Sequence, residues 1–272
     1  MKILHALLIS ILVLETNAVL AEDRIYTFAI VPQQAVTELA KSWIPFLALL
    51  SERSGVKLKF VTAPDIPTFE KRLGNGAYDI AYMNPYHYTV FHKKSGYKAF
   101  AKEKGRKLTG ILVARKGSAI NDIRDLNGLT LAFPAPAAFA ASILPRASLR
   151  KEGIDIKAKF VASHESVYLN VAQGMYPAGG GIKRTFELMD VATQQELQVI
   201  WITPGYTPHA IASHPHLPDA VVNTLQKVML SLDEDPIGQS ALKAIGFKGV
   251  EQAQDRDWDD IRQLKITELD SL

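Results

Sequence analysis

The segment FPAPAAFAASILPR, Phe133 to Arg146, has the residue types and spacing that point most directly to binding chemistry. An apolar strand pattern leads into a proline-bracketed turn, and helical spacing follows the turn. The first backbone N–H groups of such a helix have no intrahelical acceptor and can hold an anion. The small positions here are alanine, so hydroxyl donors are missing. The segment predicts either a binding turn with backbone donors beside an apolar Phe139, or only a packed helix start.

The whole chain limits what such a turn can serve. It has 272 residues, no cysteine and a formal net charge of +3. The absence of cysteine excludes disulfides, thiol nucleophiles and cysteine-ligated metals, and the small charge excess gives no argument for nucleic-acid binding. No Ser-His-Asp motif and no paired carboxylates fall at the cleft predicted between two lobes of the chain. We therefore expect no enzyme, no metal and no cofactor.

The N-terminal residues have the pattern of a secretory signal. Lys2 precedes an apolar run from Ile3 to Leu14 of about 12 residues, short of the roughly 20 that span a bilayer. Small residues Val19 and Ala21 occupy the usual positions before a cleavage site. We predict that residues 1–21 are a signal peptide cleaved after Ala21, and that the mature chain is periplasmic and is not inserted in the membrane.

Strand and helix patterns alternate along the rest of the chain, which predicts an α/β fold with mostly parallel sheets flanked by helices. The pattern starts at Ile25 and restarts near Leu108, which indicates two lobes. The tail after Gly205 has too little strand for a third domain, so we expect it to return to the first lobe. The predicted division is residues 22–114 plus 205–272 for lobe 1 and residues 115–204 for lobe 2, with crossings near Arg115 and Thr203 to Gly205.

Four stretches, in this order and spacing, resemble one protein family: IVPQQ after the first strand, NGAYDIAYMNPYHY at Asn75 to Tyr88, DLNGLTLAFPAP at Asp125 to Pro136, and SHESVYLNVAQG at Ser163 to Gly174. The family is that of the periplasmic phosphate, phosphite and phosphonate-binding proteins of ABC importers. The resemblance implies the type 2 periplasmic-binding fold, with two lobes joined by two hinge crossings. It also implies a monomer that traps a small molecule between the lobes and passes it to an ABC permease.

The family's phosphonate site resembles the opening segment residue by residue. Phe133, Pro136 and Pro145 fall in register, but the family's Ser-Thr-Ser-Gly becomes Ala138, Phe139, Ala140 and Ala141. A hydrogen bond to a charged group contributes about 1.5 to 3 kcal/mol, so three missing hydroxyls could cost several kcal/mol. We therefore predict a less charged, partly apolar or aromatic ligand instead of a tightly bound phosphonate.

The resemblance and the ends of predicted strands add further candidate ligand-binding residues. Each has a plainer alternative as a helix cap, a turn residue or a solvated cation. Lys183 or its neighbour Arg184 could restore the positive charge missing from the alanine turn. Besides Ala138, Phe139 and Ala140, the predicted ligand-binding residues are Gln33, Asn84, Tyr86, His164, Lys183, Tyr206 and Thr207.

Two functions suit this set of features. The first is a solute-binding protein for an ABC permease. The second is a periplasmic ligand-sensing subunit for a membrane signalling receptor. The sequence alone does not separate them.

Overall fold

The computed structural model describes residues 24–269, so the predicted signal peptide at residues 1–21 lies outside the described residues. The strands are β1 Tyr26–Ile30, β2 Leu58–Val61, β3 Ile80–Met83, β4 Lys98–Glu103, β5 Gly110–Arg115, β6 Thr130–Phe133, β7 Lys157–Phe160, β8 Ala178–Ile182, β9 Leu197–Ile202, β10 Ala210–Ser213 and β11 Val250–Gln252. The α-helices are α1 Val36–Ser54, α2 Ile66–Gly74, α3 Pro85–Ser95, α4 Leu144–Lys151, α5 His164–Ala172, α6 Lys183–Glu187, α7 Val191–Glu196, α8 Asp219–Leu230, α9 Pro236–Ala244 and α10 Asp259–Arg262.

The strands form two separate sheets, which confirms the predicted two-lobe α/β fold. The six-stranded sheet has the order β11-β4-β10-β3-β1-β2, and the five-stranded sheet has the order β7-β6-β8-β5-β9. The βα units pair in parallel, as β1 does with β2 and β3 and as β6 does with β7 and β8. Strands β5 and β10, which each follow a crossing, pair antiparallel with their neighbours. Both sheets are therefore mixed, and the prediction of mostly parallel sheets was wrong, because strand periodicity does not give the direction in which two strands pair.

The first crossing between the sheets lies earlier than the sequence predicts. Strand β5 was expected to end the first lobe near Arg115, but it pairs with β8 and β9 in the second sheet. Its residues from Ile111 to Ala114 are fully buried there. The first crossing is thus residues 104–109. An apolar strand pattern does not say which of two sheets a strand joins, because pairing depends on distant partners.

The second crossing is residues 203–209, which includes the predicted Thr203 to Gly205. The two crossing segments are joined by a backbone bridge in which Leu108 N donates to Tyr206 O at 2.7 Å and Tyr206 N donates to Leu108 O at 2.9 Å. Gly110 N also donates to the Thr203 hydroxyl at 2.9 Å. The two connections between the lobes therefore run side by side.

The C-terminal part returns to the first sheet, as predicted. Strand β10 lies between β3 and β4, and Trp258 is fully buried, with its indole N–H donating to Pro208 O at 2.9 Å. Within residues 24–269, no helix is long and apolar enough to cross a membrane.

Candidate ligand site between the two sheets

The two sheets meet around a small closed cavity. Its volume is about 10 Å³, which is room for about one water molecule. The polar part of its lining comes from residues after β1 and β3, before β10 and at the start of α5, and the apolar part comes from the alanine turn. The residues named by the sequence analysis that line it are Gln33, Asn84, Ala138, Phe139, Ala140 and His164; His209 and Ala141 also line it.

The alanine turn is a π-helical turn, Phe139–Ile143, that continues into α4. Its first N–H groups have no acceptor within the helix because nothing precedes them at helical spacing. Ala138 N is already used, since it donates to Ala135 O at 3.3 Å. The Phe139 ring is buried and lies roughly perpendicular to the Tyr206 ring, with 5.4 Å between ring centroids. The turn therefore presents backbone donors and an aromatic surface together.

Two glycines explain how this turn lies so close to the second sheet. A Cβ on Gly110 would be 1.8 Å from the Ala140 carbonyl oxygen, and one on Gly180 would be 2.0 Å from the Ala141 carbonyl oxygen. Gly180 belongs to the three-glycine run in β8, which lies inside the sheet between β6 and β5. The glycines thus admit the protein's own backbone and do not mark a sheet edge.

Gln33 connects the two lobes at the centre of the site. Its side-chain Nε2 lies 2.8 Å from His209 Nε2, and its side-chain Oε1 accepts from Arg184 Nη2 at 3.3 Å. Its backbone oxygen accepts from His164 N at 3.0 Å and from Glu165 N at 3.3 Å. Because the amide donates to His209 Nε2, that nitrogen must be an unprotonated acceptor.

Both site histidines are held neutral. Burial, with a smaller contribution from the Arg184 charge, lowers the pKa of His164 to about 3. The same two causes, in the same order, hold the pKa of His209 well below its ordinary value. Among the described residues, His164 Nδ1 has no hydrogen-bond partner. The site therefore offers neutral imidazoles at physiological pH.

Asn84 has a capping role as well as a place in the cavity wall. It is the N-cap of α3, where its Oδ1 accepts from His87 N at 2.7 Å. Its Nδ2 points the other way and donates to Ala137 O at 3.4 Å, just before the alanine turn. The cap fixes the side chain, so the amide donor is presented to the second lobe in a defined direction.

Arg184, and not Lys183, brings a positive charge inside. The Arg184 side chain is buried, with Nη1 3.5 Å from Glu103 and its guanidinium carbon 5.3 Å from the Tyr82 ring centroid. The Lys183 side chain is 55% exposed and lies 3.9 Å from Glu187. The sequence raised both residues as alternatives and favoured Lys183. Consecutive residues of a helix point in different directions, so only the tertiary fold decides which of the two side chains is buried.

Comparison with known proteins now identifies the family. Residues 28–258 match the family described as "ABC transporter, phosphonate, periplasmic substrate-binding protein". The chain belongs to this family. Its members are binding components of transporters and not enzymes, as the sequence analysis expected, and the family places the chain in the periplasm.

The relatives agree with this membership. The chain is 25% identical over 240 residues to the phosphate-import protein PhnD of Mycolicibacterium smegmatis, covering 76% of this chain and 71% of the relative. It is 21% identical over 260 residues to the phosphonates-binding periplasmic protein of Escherichia coli, covering 90% of this chain and 77% of the relative. The match to both relatives extends over both lobes.

Solved structures share the fold. PhnD1 of Prochlorococcus marinus, solved in complex with methylphosphonate, has a TM-score of 0.82 and 18% identity, covering 91% of this chain and 99% of that one. A binding protein component of an ABC phosphonate transporter from Pseudomonas aeruginosa also has a TM-score of 0.82, with 20% identity, covering 90% and 86%. These likenesses support the type 2 periplasmic-binding architecture.

Three predicted ligand-binding residues of this family member have other partners. Tyr86 points away from the cavity, and its hydroxyl accepts from Leu269 N at 2.9 Å. The Thr207 hydroxyl donates to Asp257 O at 2.7 Å, and so anchors the crossing to the C-terminal part. The Tyr206 ring packs roughly perpendicular to the Phe139 ring but does not line the cavity. None of the three lines the cavity, so a ligand-binding role for them stays a prediction.

Two site residues were missed or undervalued by sequence reasoning. His209 was left out of the predicted ligand-binding set, yet it lines the cavity. Glu103, which pairs with Arg184, was not singled out at all. A signal for Glu103 does exist: it is the carboxylate that ends the β4 segment KAFAKE, immediately before the first crossing.

Proposed function

We propose that this binding protein captures a neutral or weakly charged small molecule with an apolar or aromatic part, and delivers it to an ABC permease. The observation that carries the proposal is the charge state of the interlobe site. Its hydrogen-bonding groups are amides and neutral imidazoles, and its buried cation, Arg184, is already paired with Glu103. Membership of the family favours a permease as the partner over a membrane sensor.

A phosphonate would find little at this site to balance its charge. The three positions that carry hydroxyls in the resembling motif are Ala138, Phe139 and Ala140, whose side chains cannot donate. Each lost charge-assisted hydrogen bond is worth about 1.5 to 3 kcal/mol, so the loss amounts to three decades or more in affinity. The remaining backbone N–H groups and helix dipole contribute roughly 0.3 to 2 kcal/mol. They do not compensate for the loss.

A partly apolar ligand would make more favourable contacts at this site than a phosphonate. The methyl groups of Ala138 and Ala140 and the ring of Phe139 form one wall. Gln33, Asn84 and the two histidines form the other, with amide and imidazole groups suited to a carbonyl, hydroxyl or amide. Such sites, mostly apolar with a few placed polar groups, are the ordinary form of small-molecule pockets. The present volume of about 10 Å³ means that a ligand must enter when the lobes are apart.

The test is to restore the hydroxyls. Calorimetry with methylphosphonate would compare the parent with the triple variant Ala138→Ser, Phe139→Thr, Ala140→Ser. Ala147→Ser, which adds a hydroxyl on the exposed side of α4, is the matched control. We expect the triple variant to bind methylphosphonate at least a hundredfold more tightly than the parent, and the control to match the parent.

The natural ligand can be sought directly. Native mass spectrometry of protein purified from its own periplasm should show a bound neutral or weakly charged organic molecule. Micromolar or tighter binding of methylphosphonate by the parent would contradict the proposal. So would a triple variant that folds normally but gains no affinity.

A further inference from the structure

Two charged side chains of the second lobe reach into the first and contact it directly. They are Arg184 on α6 and Glu165 in the first turn of α5. Arg184 contacts the buried carboxylate of Glu103, and Glu165 accepts a hydrogen bond at the start of α1. Both contacts lie across the gap that must widen when the lobes separate.

Arg184 is inserted into the first lobe along its whole length. Its guanidinium lies 3.5 Å from Glu103 and over the rings of Tyr82 and Phe247, at 5.3 and 5.5 Å from the ring centroids. Glu103 is only 3% exposed, and its other cation, Arg106, is 3.6 Å away in the first crossing. Moving the lobes apart would take the guanidinium from both rings and leave Glu103 with one cation instead of two. A buried carboxylate that loses a partner is destabilised.

Glu165 completes a helix end in the opposite lobe. Helix α1 has Ala35 as its N-cap, a residue with no side-chain oxygen, and no side chain of its own caps it. The Glu165 carboxylate accepts from Ala35 N instead. In return, Gln33 O accepts from the N–H groups of His164 and Glu165 at the start of α5. The starts of the two helices therefore satisfy each other only when the lobes are together.

We propose that Arg184 and Glu165 form an interlobe latch that holds the cleft closed before a ligand binds. Because the closed cavity holds about one water, only the opened form can admit a ligand. The latch then sets the fraction of molecules able to bind, and the apparent affinity falls by that fraction. The inference depends on hinged lobes but not on the proposed ligand class, so either can fail without the other.

The chain offers a clean way to measure the latch, because it contains no cysteine. Two substitutions, Glu52→Cys at the end of α1 and Lys151→Cys at the end of α4, place one spin label on an exposed position of each lobe. Pulsed electron-spin distance measurements on the ligand-free protein then report the closed and open populations. Arg184→Met keeps the length and apolar stem of the side chain and removes the charge. Lys183→Met, its exposed neighbour, is the matched control.

We expect Arg184→Met and Glu165→Ala each to raise the open fraction at least fivefold, while Lys183→Met leaves the distance distribution unchanged. Distributions that stay the same in both latch variants would overturn the proposal, as would an equal shift in Lys183→Met. Circular dichroism checks folding. If Arg184→Met does not fold, Glu103→Gln, which keeps the shape of the partner, decides in the same way: an unchanged open fraction refutes the latch and a raised one supports it.

Discussion

The buried histidine of the site makes acid the most informative perturbation. His164 is 3% exposed, its Nδ1 has no partner among the described residues, and its pKa is lowered to about 3. In the unfolded chain the same imidazole titrates near 6.5. Between these two values the unfolded state binds a proton that the folded state does not. Folded-state stability from His164 is therefore complete above pH 6.5 and is lost as the pH falls toward 3.

The size of this effect follows from the two pKa values. At pH 5 the pH is about 1.5 units below the pKa of the imidazole in the unfolded chain, so that imidazole is protonated. The buried imidazole of the folded protein is still neutral at this pH. The folded state is then disfavoured by about 2 kcal/mol relative to neutral pH. Opening of the lobes would also expose the imidazole and let it bind a proton. This value is thus the upper limit for global unfolding.

The assay is urea unfolding followed by tryptophan fluorescence at pH 7.5 and at pH 5. The free energy of unfolding of the parent should fall between the two, with His209 acting in the same direction. In His164→Asn the fall should be smaller by up to about 2 kcal/mol. His164→Gln should behave alike, which separates loss of the titrating group from the effect of one replacement. Equal falls in the parent and both variants would refute the neutral buried state of His164.

Two further predictions concern the frame of the site. Gly180→Ala should lower the free energy of unfolding by about 1 to 3 kcal/mol or more, because the added methyl group meets the Ala141 carbonyl oxygen. The control Gly74→Ala, whose added methyl group makes ordinary contacts, should not lower it. Thermal unfolding of both variants checks this, and equal effects would contradict it. Thr207→Val should lower the free energy of unfolding by about 1 to 2 kcal/mol through lost hydrogen bonds to Asp257 and Asp260, without changing ligand affinity. A weakened affinity in calorimetry would instead indicate that Thr207 belongs to the ligand site.

Much of the fold was predictable because it depends on local sequence patterns. The alternation of strand and helix periodicity, the turn at Pro136 and the strand end at Asn84 depend on residues close together in the chain. The order of these patterns also carried the family resemblance. The position of the first crossing was not local, since only the pairing of β5 with β8 and β9 decides it.

The sequence by itself determined that this chain is a two-lobe binding protein with an alanine turn in place of the hydroxyl motif that the turn resembles. The tertiary structure decided which polar groups face that turn. Gln33 meets His209 and Arg184 across sequence separations of 176 and 151 residues. Periodicity fixes which face of an element is buried, but not what lies opposite it. Tertiary packing therefore placed Arg184 inside, Lys183 outside, and Glu103 beside the buried cation.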